Sequence, residues 1–356
     1  MANKNVTPPG MTRRAGLAAA ALGVATAAVG GRPARAQSTE ALGLDAEVFA
    51  AARREREFTL YTAQSREVVD ETVNAFRRAI PGIEVRSLRL ATGPLSSRFA
   101  QEAGAGVHQA DLVNFAGTRL FTGQPQWWRP LTAAEIPTLR DWPAGQLHPN
   151  YLNTTQGPQL IVYNKNLVRA ADVPKTWEDV LKPVFRNRLL LVDPRSSNNY
   201  MAWTNLMFET YGESFLTGLR QQGFRLVEGG SQGAQQVAAG ASHIVFPPSF
   251  AHAEPLIQRG APLAVAYPSD NSPVPAIGPQ HSWGLPRTSP KPNAARVFLT
   301  WLLTEQAQKI NCGGNAASVL LTNFEGCPRP AANFISADQD ISTDRAAMLL
   351  GLLGLR

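Results

Sequence analysis

Apolar and polar positions along the chain follow two periods that take turns from residue 46 onward. Val68, Val69, Val73 and Phe76 fall on one face of a 3.6-residue repeat and predict a helix over 68–79, stopped by Pro81-Gly82. Similar spacing predicts helices over 46–56, 98–103, 177–181, 200–211, 213–222, 234–239, 251–259, 293–310 and 343–353. Short apolar runs predict strands over 58–61, 83–90, 110–115, 159–163, 189–192, 224–227, 243–246, 263–267 and 282–285. Between 123 and 158 the periodicity collapses among prolines and Trp127, Trp128 and Trp142. Alternating strands and helices imply an α/β fold of parallel βαβ units with right-handed crossovers.

One strand-loop-helix stretch organises the rest. Leu189 to Val192 feeds through Asp193-Pro194 into Arg195, Ser196, Ser197, Asn198 and Asn199, and an apolar helical pattern starts at Tyr200. A helix entered from such a loop presents unpaired N–H groups that suit a small anion. Three further segments share the design: Thr92, Ser96 and Ser97 after the second strand, Ser231 and Gln232 in a glycine-rich loop, and Ser249 after Pro247-Pro248. Gln64, Ser65 and Arg66 follow the first strand, and Asn114 lies in the third. These sixteen residues are the candidate ligand contacts. Arg66 and Arg195 are each as compatible with a salt bridge between loops as with ligand contact. His243, His252 and the tryptophans read as structural, and Asp193 as the cap of its own turn.

Charge changes the picture less than its total suggests. The net charge is +7, but Lys4, Arg13, Arg14, Arg32 and Arg35 lie in the first 36 residues without an acid, leaving +2. A nucleic-acid partner is therefore not indicated. Thr12-Arg13-Arg14, an uncharged run from Ala18 to Val29, and Ala34-Arg35-Ala36 read as a twin-arginine signal peptide cleaved near Ala36, so the mature chain is expected in the periplasm. The two cysteines, Cys312 and Cys327, fall in the exported part, where a disulfide is the expected state and two buried free thiols the alternative. Without CxxC spacing or a neighbouring histidine they make a poor zinc site. No metal site or cofactor is expected.

The segments YTAQSREVVDETVNAFRRAIPGIEVRSL, TGPLSSRF, ADLVNF, QLIVYNKNLV, PKTWEDVL, VDPRSSNNYMAW, VEGGSQGAQQVAAGASHIVF and APLAVAYPSD, in that order from Phe58 to Gln308, resemble bacterial extracellular solute-binding proteins of ABC importers. The resemblance is to the branch named after ferric-iron binding. It implies a type II periplasmic binding fold: two α/β lobes joined by crossing strands, with the ligand between them. By motif, lobe one covers 58–153 plus 271–311 and lobe two covers 154–270, while 312–356 finds no place. The implied partner is an ABC permease in the inner membrane, served by a monomer.

Iron-binding members place a histidine or acid in the first loops and a tyrosine pair after the strand that here is 243–246. This chain has Pro247-Pro248-Ser249-Phe250 there, and Gln64 and Ser65 in the first loop. Ferric iron favours anionic oxygen donors, which these loops lack. Their hydroxyls, amides and arginines suit a small organic anion such as a phosphate ester, phosphonate or carboxylate. The alternatives are ferric iron, a periplasmic ligand sensor and a serine-dependent hydrolase. No GxSxG or HExxH pattern supports the last, so no enzyme is expected.

Overall fold

The computed structural model describes residues 42–271, 274–313, 316–320, 327, 330, 331 and 333–355. Residues 1–36, read from the sequence as a signal peptide, lie outside the described residues. The strands are β1 (Glu57–Thr62), β2 (Glu84–Arg89), β3 (Leu112–Phe115), β4 (Leu152–Gln156), β5 (Ile161–Asn164), β6 (Leu189–Val192), β7 (Arg225–Val227), β8 (Ile244–Phe246), β9 (Leu263–Ala266), β10 (Ala276–Gly278), β11 (Gln280–Gly284), β12 (Ala317–Ser318) and β13 (Phe334–Ser336). The helices are α1 (Ala46–Glu55), α2 (Arg66–Ala79), α3 (Thr92–Gly104), α4 (Arg119–Gly123), α5 (Asn198–Tyr211), α6 (Glu213–Gln222), α7 (Gly230–Ala238), α8 (Glu254–Gln258), α9 (Pro292–Leu302), α10 (Glu305–Gly313) and α11 (Thr343–Leu353).

Two sheets carry the fold. Lobe one is built on a six-stranded sheet in the order β12-β4-β11-β3-β1-β2, and lobe two on a five-stranded sheet in the order β7-β6-β8-β5-β9. The chain passes between them after β4 and returns before β11, two strands that pair antiparallel. The expectation of purely parallel units needs correction. β1 is parallel to β2 and β3, and β6 to β7 and β8, but β11 runs antiparallel to β3, and β5 antiparallel to β8 and β9. The physical reason is that strands arriving from the other lobe enter each sheet from its cleft end rather than through a crossover helix.

Each lobe has its own core. In lobe one, Phe298 and Trp301 of α9 pack against Phe76, and Phe298 reaches Phe58 at 5.2 Å between ring centroids. In lobe two, Trp203 of α5 meets Trp177 at 5.1 Å and Phe246 at 5.7 Å. All four residues of β6 are buried, as a strand covered on both faces requires.

The tail that found no place in the sequence serves both lobes. β12 extends the six-stranded sheet beside β4, β13 pairs with β10, and α11 packs on α5 and α6. Cys312 and Cys327 form a disulfide. The single helix expected over 293–310 is two helices broken at Leu303-Thr304. Thr304 there turns its hydroxyl back to the Trp301 carbonyl, 2.7 Å away, a local bond that competes with helix continuation.

Candidate ligand cleft

The parallel parts of both sheets aim their carboxyl ends at the same gap. On lobe one, β1, β2 and β3 end at Thr62, Arg89 and Phe115; on lobe two, β6, β7, β8 and β9 end at Val192, Val227, Phe246 and Ala266. A cavity of about 590 Å3 lies where these edges face each other. Its walls are Thr92, Gly93 and Ser96 of α3, Phe115 to Gly117 after β3, Arg119, Leu120, Gly123 and Gln124 around α4, Ser197, Asn198 and Asn199 of lobe two, and Ala337 and Asp338 of the tail. Of these fifteen residues, Arg119 is the one base and Asp338 the one acid.

Two long helices begin in this cleft from opposite sides. α5 starts at Asn198, with Ser197 as N-cap accepting from the Asn199 N–H at 3.3 Å. The helix is held in place by Ala202, Trp203, Leu206 and Met207, whose burial fixes where its first turn points. α3 starts at Thr92, six residues earlier than the apolar pattern alone predicts, and the segment read as a loop is its first turn. Ala91 offers no side-chain cap and Pro94 has no N–H, so the N–H groups of Thr92 and Gly93 are the ones α3 can offer an anion. Thr92 itself is fixed, its hydroxyl accepting from the Ala116 N–H at 3.1 Å.

Of the sixteen candidate residues, the fold brings Thr92, Ser96, Ser197, Asn198 and Asn199 into this one cavity. The others have different surroundings. Gln64 is buried and donates to Asn311 Oδ1 at 3.1 Å. Ser65 caps α2, accepting from the Val68 N–H, and Arg66 is exposed beside it. Ser97 points away on an exposed position of α3. Asn114 is fully buried in its sheet, accepting from the Thr62 hydroxyl and donating to the Ser282 carbonyl. Arg195 forks onto Asp193, Nε to Oδ1 at 2.9 Å and Nη2 to Oδ2 at 2.7 Å, and this guanidinium holds the Asp193 carboxyl below the usual range. Ser196 donates to the Asp193 carbonyl at 2.7 Å. Ser231 and Gln232 are exposed on the first turn of α7, where Gln232 accepts from the Glu228 N–H.

Tyr200 and Ser249 sit deeper along the lobe-two edge. Burial pushes the Tyr200 phenol up, opposed by a bond from the Gly230 N–H. Ser249 contacts His252 Nδ1 at 3.1 Å, and burial lowers the pKa of that imidazole. These loops approach so closely that a Cβ on Gly230 would stand 2.6 Å from the His252 ring and 2.8 Å from Pro248. A side chain there would separate them.

Several wall residues escape sequence reasoning. Gln159, just before β5, donates from Nε2 to the Asn199 carbonyl at 3.1 Å, and its buried Oε1 has no hydrogen-bond partner among the described residues. It also borders a smaller hollow of about 100 Å3 beside Tyr267, Ser269 and Asp270. Burial, with the Asp270 charge adding to it, pushes the Tyr267 phenol up to about 12. The signal that could have found this loop was its position after β9, on the same sheet edge as the loops after β6 and β8. Asp338 and Arg119 lie in stretches with no periodic or motif signal.

The profile of the bacterial extracellular solute-binding proteins matches residues 61–309. Solved structures similar to this chain include iron-bound HitA from Pseudomonas aeruginosa (18% identity, 84% of this chain and 98% of that one, TM-score 0.63). They also include the substrate binding protein of an ABC transporter from Agrobacterium tumefaciens (16%, 85% and 94%, 0.64) and Trichodesmium FutA in complex with iron and citrate (19%, 84% and 100%, 0.63). Likeness at these identities establishes the fold, the type II periplasmic binding architecture.

Proposed function

We propose that this chain, which belongs to the family of bacterial extracellular solute-binding proteins, captures a small organic anion in the periplasm and delivers it as a monomer to an ABC permease. The anion is a phosphate ester, phosphonate or carboxylate held between the starts of α3 and α5. The observation that carries this reading is the convergence of two long helix N-termini from opposite lobes on one cleft walled by hydroxyls and amides. Closure around such a guest is a hinge motion: the ligand bridges both lobes and favours the closed arrangement by its differential contacts. Turnover is not part of the reading, and the purified mature chain is expected to release its ligand unchanged.

Ferric iron is the second reading, favoured by relatives whose structures hold iron, one with citrate beside it. Against it stands the donor set. Among the described residues no three of His, Cys, Asp and Glu gather as a metal would require, and Tyr267, pushed up to about 12, gives up its proton reluctantly. A thermal-shift screen of small phosphate esters, phosphonates and carboxylates separates the two. A ligand present at a hundred times its Kd is expected to stabilise the fold by about 2.7 kcal/mol. Silence from every anion, with visible absorbance on adding ferric iron, would reverse the assignment.

A further inference from the structure

Resting on the anion reading above, we infer that the solute is zwitterionic, an organic acid carrying a protonated amine, and that Asp338 receives the amine. Among the described residues, Asp338 is the one carboxylate on the cleft wall, and it is built in rather than incidental. Its Oδ2 accepts from the N–H groups of Thr118 at 2.9 Å and Arg119 at 3.0 Å, at the start of α4. The fit is tight enough that a Cβ on Gly117 would stand 2.3 Å from Oδ2, so only glycine leaves room for it. On the tail side, the Ala337 N–H donates to the Gly278 carbonyl at 2.9 Å, fixing the chain one residue before.

The arrangement uses one carboxylate oxygen for structure and leaves the other. Among the described residues, Oδ1 accepts no hydrogen bond, and no basic side chain lies within ion-pair distance of the group. Arg119, whose backbone N–H is already bonded to Asp338, turns its guanidinium to Asp340 instead, at 3.2 Å. A carboxylate with no cationic partner on the wall of a cleft designed for negative charge repels a guest that is only an anion. It attracts a guest whose far end is an ammonium group, which supplies the missing donors and the missing charge. The helix starts of α3 and α5 then take the acid end, and Asp338 the amine end, of one small molecule.

Matched probes test this by isothermal titration on the mature chain: 2-aminoethylphosphonate against ethylphosphonate, and 4-aminobutanoate against butanoate. At least one aminated acid is expected to bind about tenfold or more tightly than its plain counterpart, as a charge-assisted hydrogen bond implies. In Asp338→Asn the amide oxygen still accepts from Thr118 and Arg119, so the fold is kept. The preference is expected to fall to within about twofold, with the plain acid bound as well as before or better. N-acetylation of the favoured probe is expected to remove the preference in the unmodified protein, a readout that does not depend on the variant folding. Equal affinity for aminated and plain acids, or a preference that survives Asp338→Asn, overturns the assignment of the amine to Asp338. Binding of no acid at all, aminated or plain, instead brings down the anion reading beneath it.

Discussion

Ser197 shows how much of the cleft depends on single side chains. It ends the polar loop after β6, turns extended backbone into helix, and satisfies one of the first amides of α5. Ser197→Ala is expected to cost about 1 kcal/mol of stability through the lost cap, measurable as a lower midpoint in urea unfolding. The same change loosens the first turn that lines the cleft, so ligand affinity is expected to fall along with stability. Arg195, two residues earlier, illustrates the opposite case. Its guanidinium is spread over Asp193 inside its own loop and is 44% exposed, a geometry in which an ion pair contributes little. Arg195→Ala is expected to move stability by less than about 0.5 kcal/mol. A large loss of affinity in that variant would mean that Arg195 leaves Asp193 to meet the ligand.

At the scale of elements, the unit of design is strand, loop and helix together. β6 is buried on both faces, and α5 is anchored by Trp203 against Trp177, Phe215 and Phe246, so the loop between them has little freedom. Trp203→Ala is expected to destabilise by about 3–5 kcal/mol, and to weaken ligand binding beyond that loss because α5 is no longer held at its depth. This unit was legible in the sequence because apolar period, turn residues and cap residue agree on it. Elements with conflicting signals were not. Pro94 and Gly93 mask the first turn of α3, although proline early in a helix sacrifices an N–H that has no partner there. β4 was hidden because its Leu152-Asn153-Thr154-Thr155-Gln156 is polar yet fully buried, its side chains bonded across to β11 and the tail. Gln64 and Asn114 have the residue types of ligand contacts, but hydrogen bonds inside lobe one already occupy them, and only three-dimensional neighbours reveal that. Asp338 carries no local signal, because its significance comes entirely from where β13 delivers it.

At the scale of the whole molecule, the chain crosses between the two sheets at β4 and β11, and a histidine sits on that connection. His281 pairs with Thr155 across the two strands, and its Nδ1 lies 3.2 Å from Asn114 Oδ1. Burial depresses its imidazole to about 4. The ring is therefore neutral in the folded protein at pH values where the unfolded chain, near 6.5, already takes up a proton. Above about pH 6.5 both states are neutral and His281 contributes no pH dependence. As pH falls from 6.5 toward 4 the unfolded state gains the proton first, and stability declines by up to about 1.4 kcal/mol per pH unit. His281→Gln removes the titration while keeping a polar side chain on the strand. Between pH 7.5 and pH 5, the native protein is expected to lose about 2 kcal/mol more than this variant in urea unfolding, the carboxylates contributing equally to both. Parallel pH profiles for the two proteins would mean that the connecting strands admit water to the ring.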